Sequence, residues 1–231
     1  MEIKAVIPAR AGSTGIPDKN LKKVGESSLV ERIVNTAKEF GQFSEIIVSS
    51  NSAPILEIAR NLGVSALERP EALSGDKSRA REVIEHVFLA KGIDSKDDQI
   101  IFYLQPTSPF TSVDTLNKIL TKLHNTKRPI FTARISDPLS KILVVNEQML
   151  ADAWRDDVDP TSNRQENDAT YVATGGCYGF SVQDFCRLGD IPVVGAEAHL
   201  VDWPESIDID SFDDLTVANL IEHHRSSKQW K

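Results

Sequence analysis

The chain has 231 residues, of which 40% are apolar and 26% charged, and its formal net charge is −8. That length suits one α/β domain with a sizeable core, and the composition excludes a disordered, collagenous or membrane-spanning chain. The acidic balance disfavours broad contact with nucleic acid, which needs a basic face, yet a pocket on an acidic protein can still gather Lys and Arg around a small anion.

From its first residues the chain enters a strand-like pattern, with no basic segment followed by an apolar stretch, which predicts no secretory signal. Two cysteines, Cys177 and Cys186, are too few for a disulfide framework, so a reducing compartment, the cytoplasm, is expected. No uncharged apolar run approaches the roughly 18 residues of a membrane helix. Short β-rich apolar runs at 5–8, 45–50, 99–105 and 130–133 alternate with helical segments at 28–41, 53–63, 77–90 and 113–125. This βαβ alternation predicts a doubly wound, mostly parallel α/β sheet with ligands outside the carboxyl ends of its strands. After Arg134 the alternation breaks. Asp137-Pro138, a predicted strand at 141–145 and the polar stretch 156–168 form an excursion, a dimerisation element or a lid, from which an antiparallel strand at 171–180 returns. A helix at 212–224 follows. No repeat, low-complexity tract or long linker divides residues 1–231, which are read as a single domain.

The segment Ile7-Pro8-Ala9-Arg10-Ala11-Gly12-Ser13-Thr14-Gly15-Ile16-Pro17-Asp18-Lys19-Asn20 follows the first strand. Its glycines allow close backbone approach, successive N–H groups can form an anion nest, and Arg10 and Lys19 can neutralise phosphate charge. It is neither a P-loop nor the three-glycine dinucleotide turn, and a Gly/Ser/Thr loop in this place is equally an ordinary βα turn. Gln105 ends a buried-looking strand, and Pro106-Thr107-Ser108-Pro109 holds the following turn at the expected ligand edge, or simply leads to a helix cap at Thr111 or Ser112. Arg164 offers a guanidinium suited to a carboxylate, although an exposed Arg is the commoner case. Tyr171 and Tyr178 lie an odd number of positions apart, so at most one faces a site. Asp208 and Asp210, two apart in an extended segment, point to the same side, where hard oxygen ligands suit Mg²⁺ shared with phosphates. On composition alone such a pair is more often a strand end or helix cap, and Ser211 with Asp213 and Asp214 marks a helix start. Cys177, His86, His124, His223 and His224 show no zinc spacing, and no obvious His or Cys nucleophile is present.

Together these segments resemble the signatures of the acylneuraminate cytidylyltransferases, the CMP-sialic acid synthetases and their relatives. Beside the loop, Arg69-Pro70-Glu71-Ala72-Leu73-Ser74-Gly75-Asp76 resembles the family's Arg-Pro-x-x-Leu-x-x-Asp, and Leu104-Gln105-Pro106-Thr107-Ser108-Pro109 matches its Leu-Gln-Pro-Thr-Ser-Pro. Arg164-Gln165-Glu166 is similar to its Arg-Gln stretch, and the segment from Ile207 to Leu215 to its Asp-x-Asp segment, so the likeness runs from residue 7 to residue 215 in family order.

The resemblance implies a Rossmann-like nucleotidyltransferase that joins CTP to a 2-keto sugar acid, sialic acid or a related nonulosonic acid, giving the CMP-sugar and pyrophosphate. It assigns Ala9, Arg10, Gly12, Ser13, Thr14, Lys19, Asn20, Arg69, Asp76 and Ser78 to the nucleotide. Gln105, Arg164, Gln165 and Tyr178 fall to the acidic sugar, and Asp208 and Asp210 to Mg²⁺, with Lys19, Arg10 and Asp210 in the chemistry. It also implies a homodimer built through residues of about 136–180, which take part in sugar binding, and neither nucleic acid nor membrane as partner. Thr14 stands where the family usually has Lys, and Thr174-Gly175 where Asn-Gly is common. Gly176 and Cys177 stand where larger apolar residues are common. A Ser-Thr pair at 13–14 is similar to the Kdo cytidylyltransferases, which follow it with Arg-Leu-Pro and lack Leu-Gln-Pro-Thr-Ser-Pro. The alternatives are a Kdo-type enzyme or a catalytically lapsed CTP-binding homologue; a nicotinamide oxidoreductase lacks its three-glycine turn. N-acetylneuraminic, legionaminic, pseudaminic and shorter keto-deoxy acids all stay open as acceptors, because pocket shape around the distal carbons decides.

Overall fold

The computed structural model describes residues 2–227, apart from Thr14, Asp76, Lys77, residues 154–156, Val158, Arg164, Glu166, Asn167 and the Ser140 side chain. In chain order the first half comprises β1 (Glu2–Pro8), β2 (Lys23–Val24), β3 (Ser27–Ser28), α1 (Leu29–Phe40), β4 (Glu45–Ser50), α2 (Ala53–Asn61), β5 (Ser65–Glu68), α3 (Ala80–Lys91) and β6 (Gln99–Leu104). The second half comprises α4 (Val113–Thr126), β7 (Ile130–Ile135), β8 (Leu143–Val145), β9 (Ala151–Ala153), β10 (Tyr171–Ser181), α5 (Val182–Leu188), β11 (Glu197–Leu200) and α6 (Phe212–Ser226). Seven strands form one sheet in the order β11-β7-β10-β6-β1-β4-β5. All are parallel except β10, which runs antiparallel between β6 and β7.

The period-two pattern of the strands explains the two layers. Ala5 and Ile7 of β1 and Ile100, Phe102 and Leu104 of β6 bury against α1, α2 and α4 on one face. Val6, Ile101 and Tyr103 turn to the other face, against Ile84, Val87 and Phe88 of α3 and Val182 and Phe185 of α5. Helix α1 shows the local logic: apolar residues at 29, 30, 33, 34, 37 and 40 form one buried stripe. Ser28 and Glu31 make a reciprocal capping box at its start, and Gly41, at φ 69°, takes the left-handed cap at its end.

The expected doubly wound sheet is present, with boundary corrections. The helix expected from 77 begins at Ala80, the one expected to 63 stops at Asn61, and the strand expected from 141 starts at Leu143 because Leu139–Lys141 forms a single 3-10 turn after Pro138. Among its described residues the excursion carries this turn and the short β8–β9 hairpin. Among the described residues no helix is long and apolar enough to cross a membrane.

A third, smaller core decides where the ligand edge forms. Ile16 of the loop after β1, Ile209 between the two aspartates, and Phe110 just after the Pro106–Pro109 turn bury together against Ala218 and Ile221 of α6. Arg32 of α1 reinforces the junction: it donates to Pro109 O (3.1 Å) and Val24 O (3.0 Å) and pairs with Glu222 of α6 (2.9 Å).

Candidate active site

At the carboxyl ends of β1 and β6 lies a cavity of ≈ 500 Å³, lined among others by Arg10, Ser13, Lys19, Asn20, Arg69, Ser78, Tyr103, Gln105 and Asp210. The loop after β1 is pinned from several sides. Ala9 N donates to Ser49 O (3.0 Å), Ala11 N to Asn51 Oδ1 (2.8 Å), and Asn20 Nδ2 to Arg10 O (2.9 Å), so the almost fully buried Asn20 holds the loop as well as lining the cavity. Gly12 turns at φ 70°. Gly15 lets the loop backbone touch the aspartate segment, since a Cβ there would fall 2.5 Å from Asp210 O.

Three cations face this cavity. Arg10 is half-buried and donates to Ser74 O (3.4 Å). Lys19 Nζ donates to Ile209 O (2.8 Å) and to Asp210 Oδ1 (2.9 Å). Arg69 is 4% exposed, and its Nε and Nη2 have no hydrogen-bond partner. Burial lowers its pKa, Tyr103 works against that shift, and the charge of Arg10 adds to it. A buried guanidinium with idle donors costs free energy unless something supplies acceptors, and it lines the cavity where a ligand could do so.

Asp208 and Asp210 flank the fully buried Ile209 and both line an adjoining groove of ≈ 720 Å³; Asp210 also lines the first cavity. The alternation expected of an extended segment is therefore observed, and so is the helix start, because Ser211 and Asp214 form a capping box on α6. Burial raises the Asp208 carboxyl pKa; a hydrogen bond from Thr107 lowers it, Asp210 raises it and Lys19 lowers it. Asp208 Oδ1 is buried without a partner. A partnerless hard oxygen beside a second carboxylate fits Mg²⁺, which binds through one or two carboxylates and completes its shell with phosphates and water. No cluster of three or more His, Cys, Asp or Glu residues that could hold a metal ion occurs among the described residues.

Gln105 stands between the first cavity and a smaller one of ≈ 250 Å³, which Tyr103, Tyr178, Asp190 and Ile191 also line. Tyr178 is half-buried, stacked near Phe131 (6.4 Å) and edge-on to Tyr103 (6.4 Å), while Tyr171 is exposed. Of the other anticipated residues, Ala9 is buried behind the loop, and Gln165 is exposed and lines none of these three cavities. Thr14, Asp76 and Arg164 lie outside the described residues. Thr174 turns inward to Thr132 Oγ1 (2.8 Å) and is buried. Sequence reasoning missed Tyr103 and Gly15. Tyr103 sits in an apolar run, and its place two residues before Gln105 was the available signal; the contact of Gly15 needs the folded chain.

Fold and site together define an α/β protein that presents three cations, two carboxylates and an amide at the carboxyl edge of its sheet. The sequence model of the cytidylyltransferase family matches residues 4–175, and the chain belongs to that family. It is 25% identical over 231 residues to the N-acylneuraminate cytidylyltransferase of Escherichia coli O18:K1:H7, covering 99% of this chain and 54% of that protein. It is 36% identical over 118 residues to the CMP-N,N'-diacetyllegionaminic acid synthase of Legionella pneumophila, covering 50% of each. The matched residues thus span about half the length of each of these curated relatives, and the whole chain about half that of the Escherichia coli protein. Among solved structures, CMP:2-keto-3-deoxy-manno-octonic acid synthetase complexed with CTP superposes with a TM-score of 0.71 at 15% identity, covering 97% of this chain and 100% of that one, a likeness of fold.

Proposed function

We propose that the protein is a cytidylyltransferase that joins CTP to a 2-keto sugar acid and releases pyrophosphate. The observation that carries this reading is Arg69, buried with idle donors in a cavity that Arg10 and Lys19 also face. Arg10 and Lys19 hold the phosphates. Arg69, Ser78 and Asn20 hold the nucleoside; a guanidinium meets the acceptor edge of cytosine, O2 and N3, better than that of uracil, which carries a hydrogen on N3.

Gln105 and Tyr178 orient the sugar acid so that its anomeric hydroxyl attacks the α-phosphorus in line, and positioning with charge neutralisation supplies most of the rate. Asp208 and Asp210 hold Mg²⁺, which when bound neutralises charge on the phosphates. Direct displacement suits a site whose one cysteine nearby, Cys177, is buried with its pKa raised by burial. The exposed apolar side chains of the excursion, among them Val144, Val145, Met149 and Leu150, support a homodimer built through it.

The test is pyrophosphate release with CTP and Mg²⁺ against N-acetylneuraminic, legionaminic, pseudaminic and 3-deoxy-manno-octulosonic acids, with ATP, GTP and UTP as controls. Release with CTP and one acid is expected. Calorimetric CTP binding with no release for any acid would replace the proposal with a CTP-binding protein without this activity.

A further inference from the structure

Strand β10 does not run evenly past its neighbours. Between the pairs Ala173–Ala133 and Tyr178–Phe131 it takes five steps where β7 takes two, so residues 174–177 form a bulge. Buried hydroxyls hold this bulge. Cys177 N donates to Thr132 Oγ1 (3.0 Å), Thr174 Oγ1 lies 2.8 Å from the same oxygen, and Ser108 Oγ donates to Thr174 O (3.4 Å). At its crest Gly175 has φ +78°, a conformation that favours glycine. A Cβ on Gly175 would overlap Gln105 Oε1, and would lie 3.5 Å from Gln105 Cδ and 3.8 Å from Asp208 Oδ2.

We infer that Gly175 is a positioning residue for the acceptor: the bare crest of the β10 bulge gives the Gln105 amide its seat, and Thr132 and Thr174 fix the height of that seat. Three facts converge on this. The bulge is held by polar contacts on the buried side, so its position is set independently of any ligand. Its crest touches Gln105, a side chain that faces both cavities. A side chain at 175 would have to displace the Gln105 amide, and a displacement of about 1 Å at a reacting centre costs on the order of a hundredfold in rate. The next residue, Gly176, is placed differently: a Cβ there would meet Thr111 Oγ1 at 3.2 Å and Ser108 Cβ at 3.4 Å, behind the site.

This inference rests on the reading of Gln105 as an acceptor contact, and a double-mutant cycle separates the two. Gly175→Ala, Gln105→Ala and the double variant are assayed with the fastest-reacting of the four acids above, alongside CTP affinity by calorimetry and Tm. Gly175→Ala is expected to lower acceptor kcat/KM at least tenfold with CTP Kd changed less than twofold, and the double variant to match Gln105→Ala alone. Additive losses in the double variant, or no acceptor effect of Gly175→Ala, would overturn the positioning role. An unchanged acceptor kcat/KM in Gln105→Ala would instead overturn the reading of Gln105, as would silence of the wild type with all four acids. If Gly175→Ala yields no folded, CTP-binding protein, Thr132→Val carries the same cycle, because it loosens the bulge while leaving Gly175 in place; its acceptor-only loss must then vanish in the Gln105→Ala background.

Discussion

Lys19 Nζ and Asp210 Oδ1 lie 2.9 Å apart, joining the loop after β1 to the aspartate segment across 191 positions of sequence. The two side chains are proposed for different duties, one on phosphate and the other on Mg²⁺, and the ion pair couples them. Ile16 and Ile209 share one small core beneath them, so apolar packing holds the two segments together whether or not the ion pair forms.

Lys19→Met should therefore separate function from stability. The Asp210 side chain is 76% exposed but that of Lys19 only 14%, and Lys19 also donates to Ile209 O, so the variant loses a screened ion pair and one hydrogen bond, each worth about 1 kcal/mol, and Tm should fall by several degrees with the fold retained. Turnover should fall by about 10²–10³, the scale of losing one group that stabilises developing charge. Asp210→Asn should abolish turnover with the fold retained. Wild-type rates in either variant, measured by pyrophosphate release, would remove that residue from the chemistry.

Arg69→Met should leave ligand-free stability unchanged or improved, because it removes a buried charge with idle donors and keeps much of the packing. CTP affinity should drop about ten- to a hundredfold, the worth of a buried hydrogen bond from a charged donor. Thermal shifts with and without CTP read both effects. A large loss of ligand-free Tm with normal CTP binding would make Arg69 a structural residue.

His199, half-buried on β11, has a pKa held below its ordinary 6.5 by burial and by Lys122 and Lys118, against the opposing Glu205 and Asp114. The unfolded chain thus takes up a proton first as pH falls. The contribution of His199 to stability is complete above about pH 6.5 and declines below it. Between pH 7.5 and 5.5 the wild-type Tm should fall further than that of His199→Gln. Equal falls would show that His199 has no part in the acid sensitivity.

For the proposed homodimer, Val144→Glu together with Leu150→Glu places charges on the exposed apolar face of the excursion. Light scattering at micromolar concentration should give a dimer for the wild type and a monomer for the variant. A wild-type monomer would refute the assembly.

Much of this architecture was legible in the sequence because its central strands and long helices carry clean periods. The run at 99–105 alternates faces as Ile100, Phe102 and Leu104 against Ile101 and Tyr103, and α1 shows both a stripe and caps. The edge strand β11 escaped notice: it has four residues, none fully buried, and its alternation runs against the usual sense, with apolar Ala198 and Leu200 exposed and Glu197 and His199 half-buried. In the site, Arg10, Lys19, Asn20, Arg69, Ser78, Gln105 and Asp210 were singled out from sequence, and all line one cavity. What the sequence concealed was the bulge in β10. The parity argument for Tyr171 and Tyr178 assumes an unbroken period of two; one tyrosine is exposed and the other lines a cavity, but residues 174–177 break the period on which the argument relied.

The antiparallel strand β10 also acts as a seam. Within the seven-stranded sheet, the strands formed before residue 105 lie to one side of it, in the order β6-β1-β4-β5, and β7 and β11 lie to the other. Chain history and sheet geography thus coincide: the loop after β1, Arg69 and Ser78 belong to the early half, while the groove lined by Arg134, Thr174 and Trp203 belongs to the late one. A family built this way can lengthen, shorten or re-face its late half while the register of the early strands stays untouched. On the proposed reading, the half that faces the acceptor can then vary while the half that holds CTP keeps its shape.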